Sequence, residues 1–310
     1  VTATVHCDAL VLGGGPAGLT GAIYLGRFRR SVIVIDEGKS RAAGIPRSHN
    51  MPGWPEGVVG GELVAAMRTQ AELYGAQIVS DRVDEIEASD GGYAAHCASM
   101  SVHARSVLLA TGASDVAPEM PHLAEAVRSG ALRYCPVCDG FEVIDRRVGV
   151  VADSAAGIAE ALYLRHFTPR LLLFRAGTAL RPGATDRRRL AHAGIELIDA
   201  PIESIRLWQG RVTVRHGGGE AQCDALYSAL GLEVHSGLGA ALGAKLDAQG
   251  CVLTDRHQRT SVEGLYAAGD VVRGLNQISV ATGEAAIAAA AMHKWLGTPV
   301  EEAPAAAAAP

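Results

Sequence analysis

The sequence predicts an α/β protein built from two three-layer, Rossmann-like dinucleotide-binding domains, the second inserted into the first. Three observations carry this. Two strand–turn–helix–strand patterns occur, one opening at Val5 and one near Arg147. A further apolar strand, Leu265 to Ala268, ends in Gly269-Asp270 after the second pattern has closed. The chain of 310 residues has the length of two ordinary domains.

The first pattern starts with the largely apolar run Val5 to Leu12, a buried-type strand. Gly13-Gly14-Gly15-Pro16-Ala17-Gly18 follows, then helical spacing of Leu, Ile and Phe from Leu19 to Arg29. Val32 to Ile35 is a second strand, and it stops at Asp36-Glu37. Gly13, Gly15 and Gly18 fit G-x-G-x-x-G: a tight turn, a close approach for a diphosphate, and close helix–strand packing. Asp36, 18 residues past Gly18, sits where an acid accepts ribose hydroxyls. Residues 41 to 61 read as a long loop rich in Gly, Pro, Ser and Asn. A helix is expected over Gly61 to Tyr74, and strands at Gln77 to Val79, Val83 to Ile86 and Val107 to Ala110.

The second pattern comprises a strand at Val148 to Val151, a helix at Ala155 to His166 and a strand at Leu171 to Phe174. More strands are expected at Glu196 to Ile198, Arg211 to Val214 and Leu226 to Leu230. An Ala-rich helix over Ile278 to Leu296 closes the pattern, and Glu301 to Pro310 reads as a flexible tail. The expected domains are 1–116 and 233–298 for the first fold, 117–232 for the second, and 299–310 for the tail.

Composition narrows the function. The formal net charge of −5 argues against nucleic-acid or anionic-membrane partners. Hydrophobic content of 48% supports a sizeable core, and no apolar run is long enough to span a bilayer. The N-terminal stretch reads as a strand and not as a signal peptide, and six cysteines with one close pair do not make an extracellular disulfide framework; a cytoplasmic protein is expected. That close pair is Cys135-Pro136-Val137-Cys138, followed by Asp139-Gly140. C-x-x-C serves zinc or redox chemistry. Zinc needs about four ligands, and no second ligand pair exists, so no metal is expected and redox is preferred. Thiol exchange needs a thiolate and a proton carrier. Asp139 is the nearest candidate for the carrier if burial raises its pKa; its bland alternative is a helix cap.

Gly13 to Gly18, Ala110-Thr111-Gly112-Ala113, Cys135 to Gly140 and Ala268-Gly269-Asp270 stand in an order and spacing that resembles the low-molecular-weight thioredoxin reductases, over about residues 5 to 297. The resemblance implies an FAD domain made of both chain ends, a central pyridine-nucleotide-type domain and a homodimer. It implies that Cys138 faces the flavin, that Cys135 exchanges with thioredoxin or a similar small disulfide protein, and that Asp139 completes the catalytic set. FAD contacts are expected in the first turn at Gly13, Gly15, Pro16, Ala17 and Gly18, and at the acids Asp36 and Glu37. More are expected at Asn50, at Val83, and at Ala110, Thr111 and Gly112. Gly269 and Asp270 would hold the ribityl chain, with Gln277 and Ile278 at the start of the helix aimed at the ring. His49 and His235 are conceivable neighbours of the flavin.

The second pattern departs from that family. Its turn reads Ala152-Asp153-Ser154-Ala155-Ala156-Gly157, with no glycine at the tight-turn or close-approach positions. Side chains at Ala152 and Ser154 are expected to obstruct a diphosphate, and Asp153 to repel it. Of the family's basic run for a 2′-phosphate only Arg175 remains; Arg187-Arg188-Arg189 reads as a solvated helix face. NADPH is therefore doubtful, and ferredoxin or another protein is expected as donor. The reading is an FAD-dependent disulfide reductase. A flavin dithiol oxidase using oxygen and a non-catalytic FAD-binding regulatory protein are the alternatives.

Overall fold

A computed structural model describes residues 3–177 and 180–297; the expected tail lies outside them. The chain forms two compact units. One comprises the residues up to Ala43, Leu63–Gly112 and the chain from Val234; the other comprises Gly44–Glu62 and Ala113–Glu233. The units divide at 112/113 and 233/234, where the sequence reading places 116/117 and 232/233. The difference is the segment 44–62, expected with the first domain. It belongs to the inserted unit, where the Asn50 amide donates to the Val137 carbonyl (3.1 Å) and His49 Nε2 lies 4.0 Å from Glu142 Oε1.

The first unit opens with β1 (Ala3–Leu12), α1 (Pro16–Arg27) and β2 (Val32–Ile35). After a short 3-10 turn at Arg41–Gly44 come α2 (Gly60–Leu73), β3 (Gln77–Val79), β4 (Val83–Ser89), β5 (Gly92–Cys97) and β6 (Met100–Leu109). Strands β3-β2-β1-β6 are parallel neighbours, because every crossover between them carries a helix or a long connection. The other edge of β6 serves two partners. Its first half pairs antiparallel with β5, which pairs with β4.

In the inserted unit, β7 (Ala113–Asp115), α3 (Leu123–Arg128), β8 (Leu132–Arg133) and α4 (Pro136–Asp139) lead to β9 (Val148–Ala152), α5 (Ala155–Leu164) and β10 (Leu171–Arg175). They are followed by α6 (Ala184–His192), β11 (Glu196–Ile198), β12 (Ile202–Trp208), β13 (Arg211–His216), β14 (Gly219–Cys223), β15 (Ala225–Ala229) and β16 (Leu232–Val234). The parallel sheet runs β11-β10-β9-β15-β8, and β12-β13-β14 form an antiparallel meander. Strands β9 and β15 are buried along their whole length, which explains their continuous apolar runs.

The chain returns to the first unit through α7 (Gly237–Ala241), β17 (Leu265–Ala267) and α8 (Ile278–Leu296). Strand β17 takes the second half of β6 as its parallel partner. Helix α8 packs on α1, and its Ala281, Ala285, Ala288 and Ala289 are small enough for close approach, with Met292 buried in the same core. Both units are Rossmann-like, and the second interrupts the sequence of the first. The sequence reading did not foresee β5, the meander's outer strands, α3 or α7. No described helix is long and apolar enough to cross a membrane.

Candidate active site

Strand β8 delivers the chain to Cys135, the N-cap of α4, and Pro136 presets the first helical φ. One turn of helix brings the two sulfurs together: Cys135 and Cys138 form a disulfide with Cα atoms 5.2 Å apart. The Cys138 amide donates to Cys135 Sγ (3.2 Å) and to the Cys135 carbonyl (2.9 Å). An amide aimed at that sulfur favours its thiolate once the bond opens.

Asp139 makes no cap bond with its side chain. Its two oxygens take separate partners instead. Arg133 Nη1 lies 2.7 Å from Oδ2, and the Tyr227 hydroxyl donates to Oδ1 at 2.7 Å. Burial raises the Asp139 carboxyl above the usual carboxylate range; the Arg133 charge and the Tyr227 hydrogen bond pull it back. Tyr227 is fully buried, and burial together with Asp139 pushes its phenol upward, so it stays a donor. Phe141, 74% exposed, leaves apolar surface open in sequence beside the pair.

The turn after β1 has the form its glycines predict. Gly13 has φ +108°, and a Cβ there would lie 2.4 Å from the Ala110 carbonyl oxygen. A Cβ on Gly18 would lie 1.8 Å from the Gly13 oxygen, so the start of α1 presses against the turn. Pro16 begins α1, and Ala17 packs under Gly269, whose own Cβ would lie 2.9 Å away. The Gly14 amide donates to Asp36 Oδ1 (3.1 Å), and Arg68 lies 3.5 Å from Oδ2. Glu37 is held below the ordinary carboxylate range, chiefly by its bond from Lys39. Ala110, Thr111 and Gly112 leave β6 beside this turn; the Thr111 hydroxyl donates to the His235 carbonyl (2.6 Å), and His235 Nδ1 lies 3.1 Å from the Thr111 oxygen. Asp270 pairs with Arg41 (2.8 Å), the Gly269 amide donates to Glu284 Oε2 (2.9 Å), and Gln277 caps α8 just before Ile278. Val83 opens β4 of the same unit. Asn50 belongs to the inserted unit.

The turn after β9 is built differently. Ala152 stays in the strand, paired with Arg175 on one side and Ala229 on the other. Its methyl is buried against Gly157, whose own Cβ would meet it at 2.3 Å. The expectation that Ala152 projects into a diphosphate site is therefore corrected: its methyl fills the helix–strand contact. Ser154 is exposed at the N-cap of α5. Arg175 Nε lies 2.6 Å from Asp199 Oδ1, and Arg187 Nη2 lies 2.6 Å from Oδ2 of the same carboxylate. Arg187 to Arg189 lie exposed on α6, with partners at Pro182, Thr185, Asp186 and Asp199.

The other cysteines are poor nucleophiles. Burial pushes the Cys7 and Cys223 thiols up to about 12 and Cys97 to about 11. Among the described residues no cluster of His, Cys, Asp or Glu could hold a metal. Arg133, Tyr227, Arg41 and Glu284 were not found from sequence. Tyr227 and Arg41 act on residues 88 and 229 positions away, and Arg133 and Glu284 reach Asp139 and Gly269 across six and fifteen residues that do not stay within one element, so none leaves a local pattern.

A dinucleotide-type turn, a second unit of the same build and an acid-flanked disulfide define a flavoprotein disulfide oxidoreductase. The chain belongs to the pyridine nucleotide-disulphide oxidoreductase family, whose profile matches residues 7–285. Within that family it is of the low-molecular-weight thioredoxin-reductase type. It is 31% identical over 306 residues to the thioredoxin reductase of Treponema pallidum (strain Nichols), covering 94% of this chain and 97% of that one. It is 28% identical over 305 residues to the thioredoxin reductase of Bacillus subtilis (strain 168), covering 93% and 94%. The crystal structure of thioredoxin reductase from Streptococcus pyogenes MGAS5005 superposes with a TM-score of 0.86 at 27% identity, covering 94% of this chain and 98% of that one.

Proposed function

We propose that this protein is an FAD-dependent thiol–disulfide oxidoreductase that reduces thioredoxin or a similar small disulfide protein through Cys135 and Cys138. The observation that carries this is the closed disulfide on α4 with Asp139 directly after it. The residues of the first unit fit an FAD. Ser40 Oγ is shielded from solvent, has no partner among the described residues, and lies 3.3 Å from a Cβ built on Gly15. An unpaired hydroxyl over an open glycine suits a phosphate oxygen. Gly13, Gly15, Pro16, Ala17 and Gly18 would hold the diphosphate, Asp36 and Glu37 the adenosine ribose, and Asp270 the ribityl chain. Ala110 to Gly112, Gly269, Gln277, Ile278 and Val83 complete the set. Bound flavin supplies the two-electron exchange with the disulfide.

The chain's own residues do the rest. Cys135 exchanges with the partner disulfide, Cys138 closes the ring again, and Asp139 carries the proton. The exposed Phe141 gives a protein partner apolar surface beside the pair. The donor is not NADPH: the second turn keeps no open glycine, and Asp199 occupies Arg175. Ferredoxin or another protein takes that role. The enzyme works as a cytoplasmic homodimer.

Dithionite-reduced holoenzyme, freed of reductant and mixed anaerobically with oxidised thioredoxin, should produce thioredoxin thiols in step with enzyme reoxidation. Cys138→Ser should produce no net thiols. Equal thioredoxin reduction by parent and variant would overturn the assignment.

A further inference from the structure

Two strands aim a side chain each at one carboxyl group. Arg133 on β8 and Tyr227 on β15 are directly paired in the parallel register. Both reach Asp139, and they divide its oxygens: Arg133 takes Oδ2 and Tyr227 takes Oδ1, each at 2.7 Å. The Tyr227 hydroxyl also lies 3.1 Å from the Asp139 carbonyl, but its single proton goes to the nearer Oδ1. Both donors favour the ionised carboxylate, and an arginine bond to a carboxylate is of the stronger, charge-assisted kind.

We propose that Arg133 and Tyr227 are positioning residues that lock the Asp139 carboxyl in place and keep it ionised at neutral pH, so that Asp139 enters thiol exchange as a proton acceptor. This rests on the proposed exchange at Cys135 and Cys138. The Cys135 thiol passes its proton to Asp139 while its sulfur bonds to one sulfur of the partner disulfide. The partner's S–S bond breaks, and its second sulfur leaves as a thiolate. Cys138 then attacks Cys135, the pair closes, and the other partner sulfur leaves. The enzyme loses two thiol protons and two electrons. The partner gains both electrons, with one proton returned by Asp139 and the other taken up through solvent.

The other charged and titratable groups around Asp139 are few. Glu142, on the 3-10 turn after α4, opposes ionisation, and its Oε2 is buried without a partner among the described residues. His49, 4.0 Å from Glu142, would moderate that when protonated. Helix α5, packed against α4, carries Glu160 and Tyr163. Burial alone would hold Asp139 protonated to higher pH, and Arg133 and Tyr227 are the groups that counter it.

The test is the pH dependence of a half-reaction that needs no electron donor. Holoenzyme is reduced with dithiothreitol, desalted anaerobically, and mixed with the small disulfide 5,5′-dithiobis(2-nitrobenzoate). The parent rate should hold at neutral pH and fall as the solution is acidified and Asp139 takes a proton. Tyr227→Phe removes one donor and leaves the ring's packing, so the falling limb should move to higher pH. Arg133→Met should move it further, and Arg133→Lys should restore part of the shift. Each unit of movement is about a tenfold loss of rate at a pH on the limb. Carbon-13 NMR of aspartate-labelled protein should show the same displacement of one carboxyl titration, and it keeps the test valid if a variant is unstable in kinetics. An unmoved limb and an unmoved titration in both Tyr227→Phe and Arg133→Met overturn the proposal, even where Asp139→Asn abolishes the limb and the exchange mechanism stands. A limb that survives Asp139→Asn overturns the proposal together with the role given to Asp139.

Discussion

The turn after β1 and the turn after β9 hold the same place in two units of the same build. They have kept different things. The first has glycine at all three positions, and Gly13 leaves the strand with a positive φ. The second has Ala152, still paired on both sides within the sheet, then Ser154, then Gly157. The one glycine common to both turns is the third, where a Cβ would strike the preceding turn or strand at 1.8 Å for Gly18 and 2.3 Å for Gly157. The helix can approach the strand in either unit only without a side chain there. The second unit lacks the first two glycines and still forms its strand, turn and helix, with Ala152 kept in the sheet where Gly13 turns away. The comparison separates what a Rossmann unit needs to fold from what it needs to bind.

Substitution can break that comparison. The largest effect is expected from Gly13→Ala, which meets the Ala110 carbonyl and a left-handed backbone together. Its purified flavin-to-protein ratio should collapse, with FAD affinity weakened about tenfold for each 1.4 kcal/mol lost. A Gly13→Ala protein with full flavin content would mean that the first turn does not hold the cofactor. Next is Gly157→Ala. Overpacking against Ala152 should cost about 1–3 kcal/mol of stability in denaturant titration, while flavin content per folded molecule stays at the parent value. Loss of flavin without loss of stability would contradict the division of labour drawn here.

A smaller effect belongs to Glu160, on α5 behind the second turn. Burial pushes its carboxyl up to about 7, and Oε2 has no partner among the described residues. The folded chain therefore holds this proton more tightly than the unfolded chain. Its contribution is fully present below about 4.5, the group's ordinary value, and is lost as pH rises towards about 7. Because the group is partly exposed, the loss should be only roughly 1 kcal/mol. Glu160→Gln should flatten that part of the stability–pH curve; an identical slope in parent and variant would remove Glu160 as its source. The smallest effect is expected from Ser154→Gly. Serine at an N-cap exceeds glycine by only a few tenths of a kcal/mol, so stability and flavin content should hardly change. NADPH reduction should stay slow, since Ala152 remains in the strand and Arg175 remains on Asp199.

Much of this was legible in the sequence, for a reason that also marks its limit. Strands β2, β9 and β10 announce themselves because burial on both faces demands nearly unbroken apolar runs, and β1 does so in its buried second half. Gly13, Gly15, Gly18 and the thiol pair announce themselves because their chemistry fixes residue type at short spacing. Strands β12 to β14 alternate apolar and polar residues weakly, and only the core of β13 was foreseen. The segment 44–62 reads as loop, and nothing local says which unit it joins; Asn50 and His49 settle that through partners some 90 residues away. Arg133 and Tyr227 were invisible for the same reason: their importance comes from strand register, which brings positions 94 residues apart side by side.

The central claim is that the second unit keeps the dinucleotide fold without the dinucleotide function. Anaerobic mixing of oxidised holoenzyme with NADPH, followed by flavin absorbance, tests it most directly. The account predicts a flavin that stays oxidised with NADPH and bleaches at once with dithionite. Rapid bleaching at micromolar NADPH would contradict it.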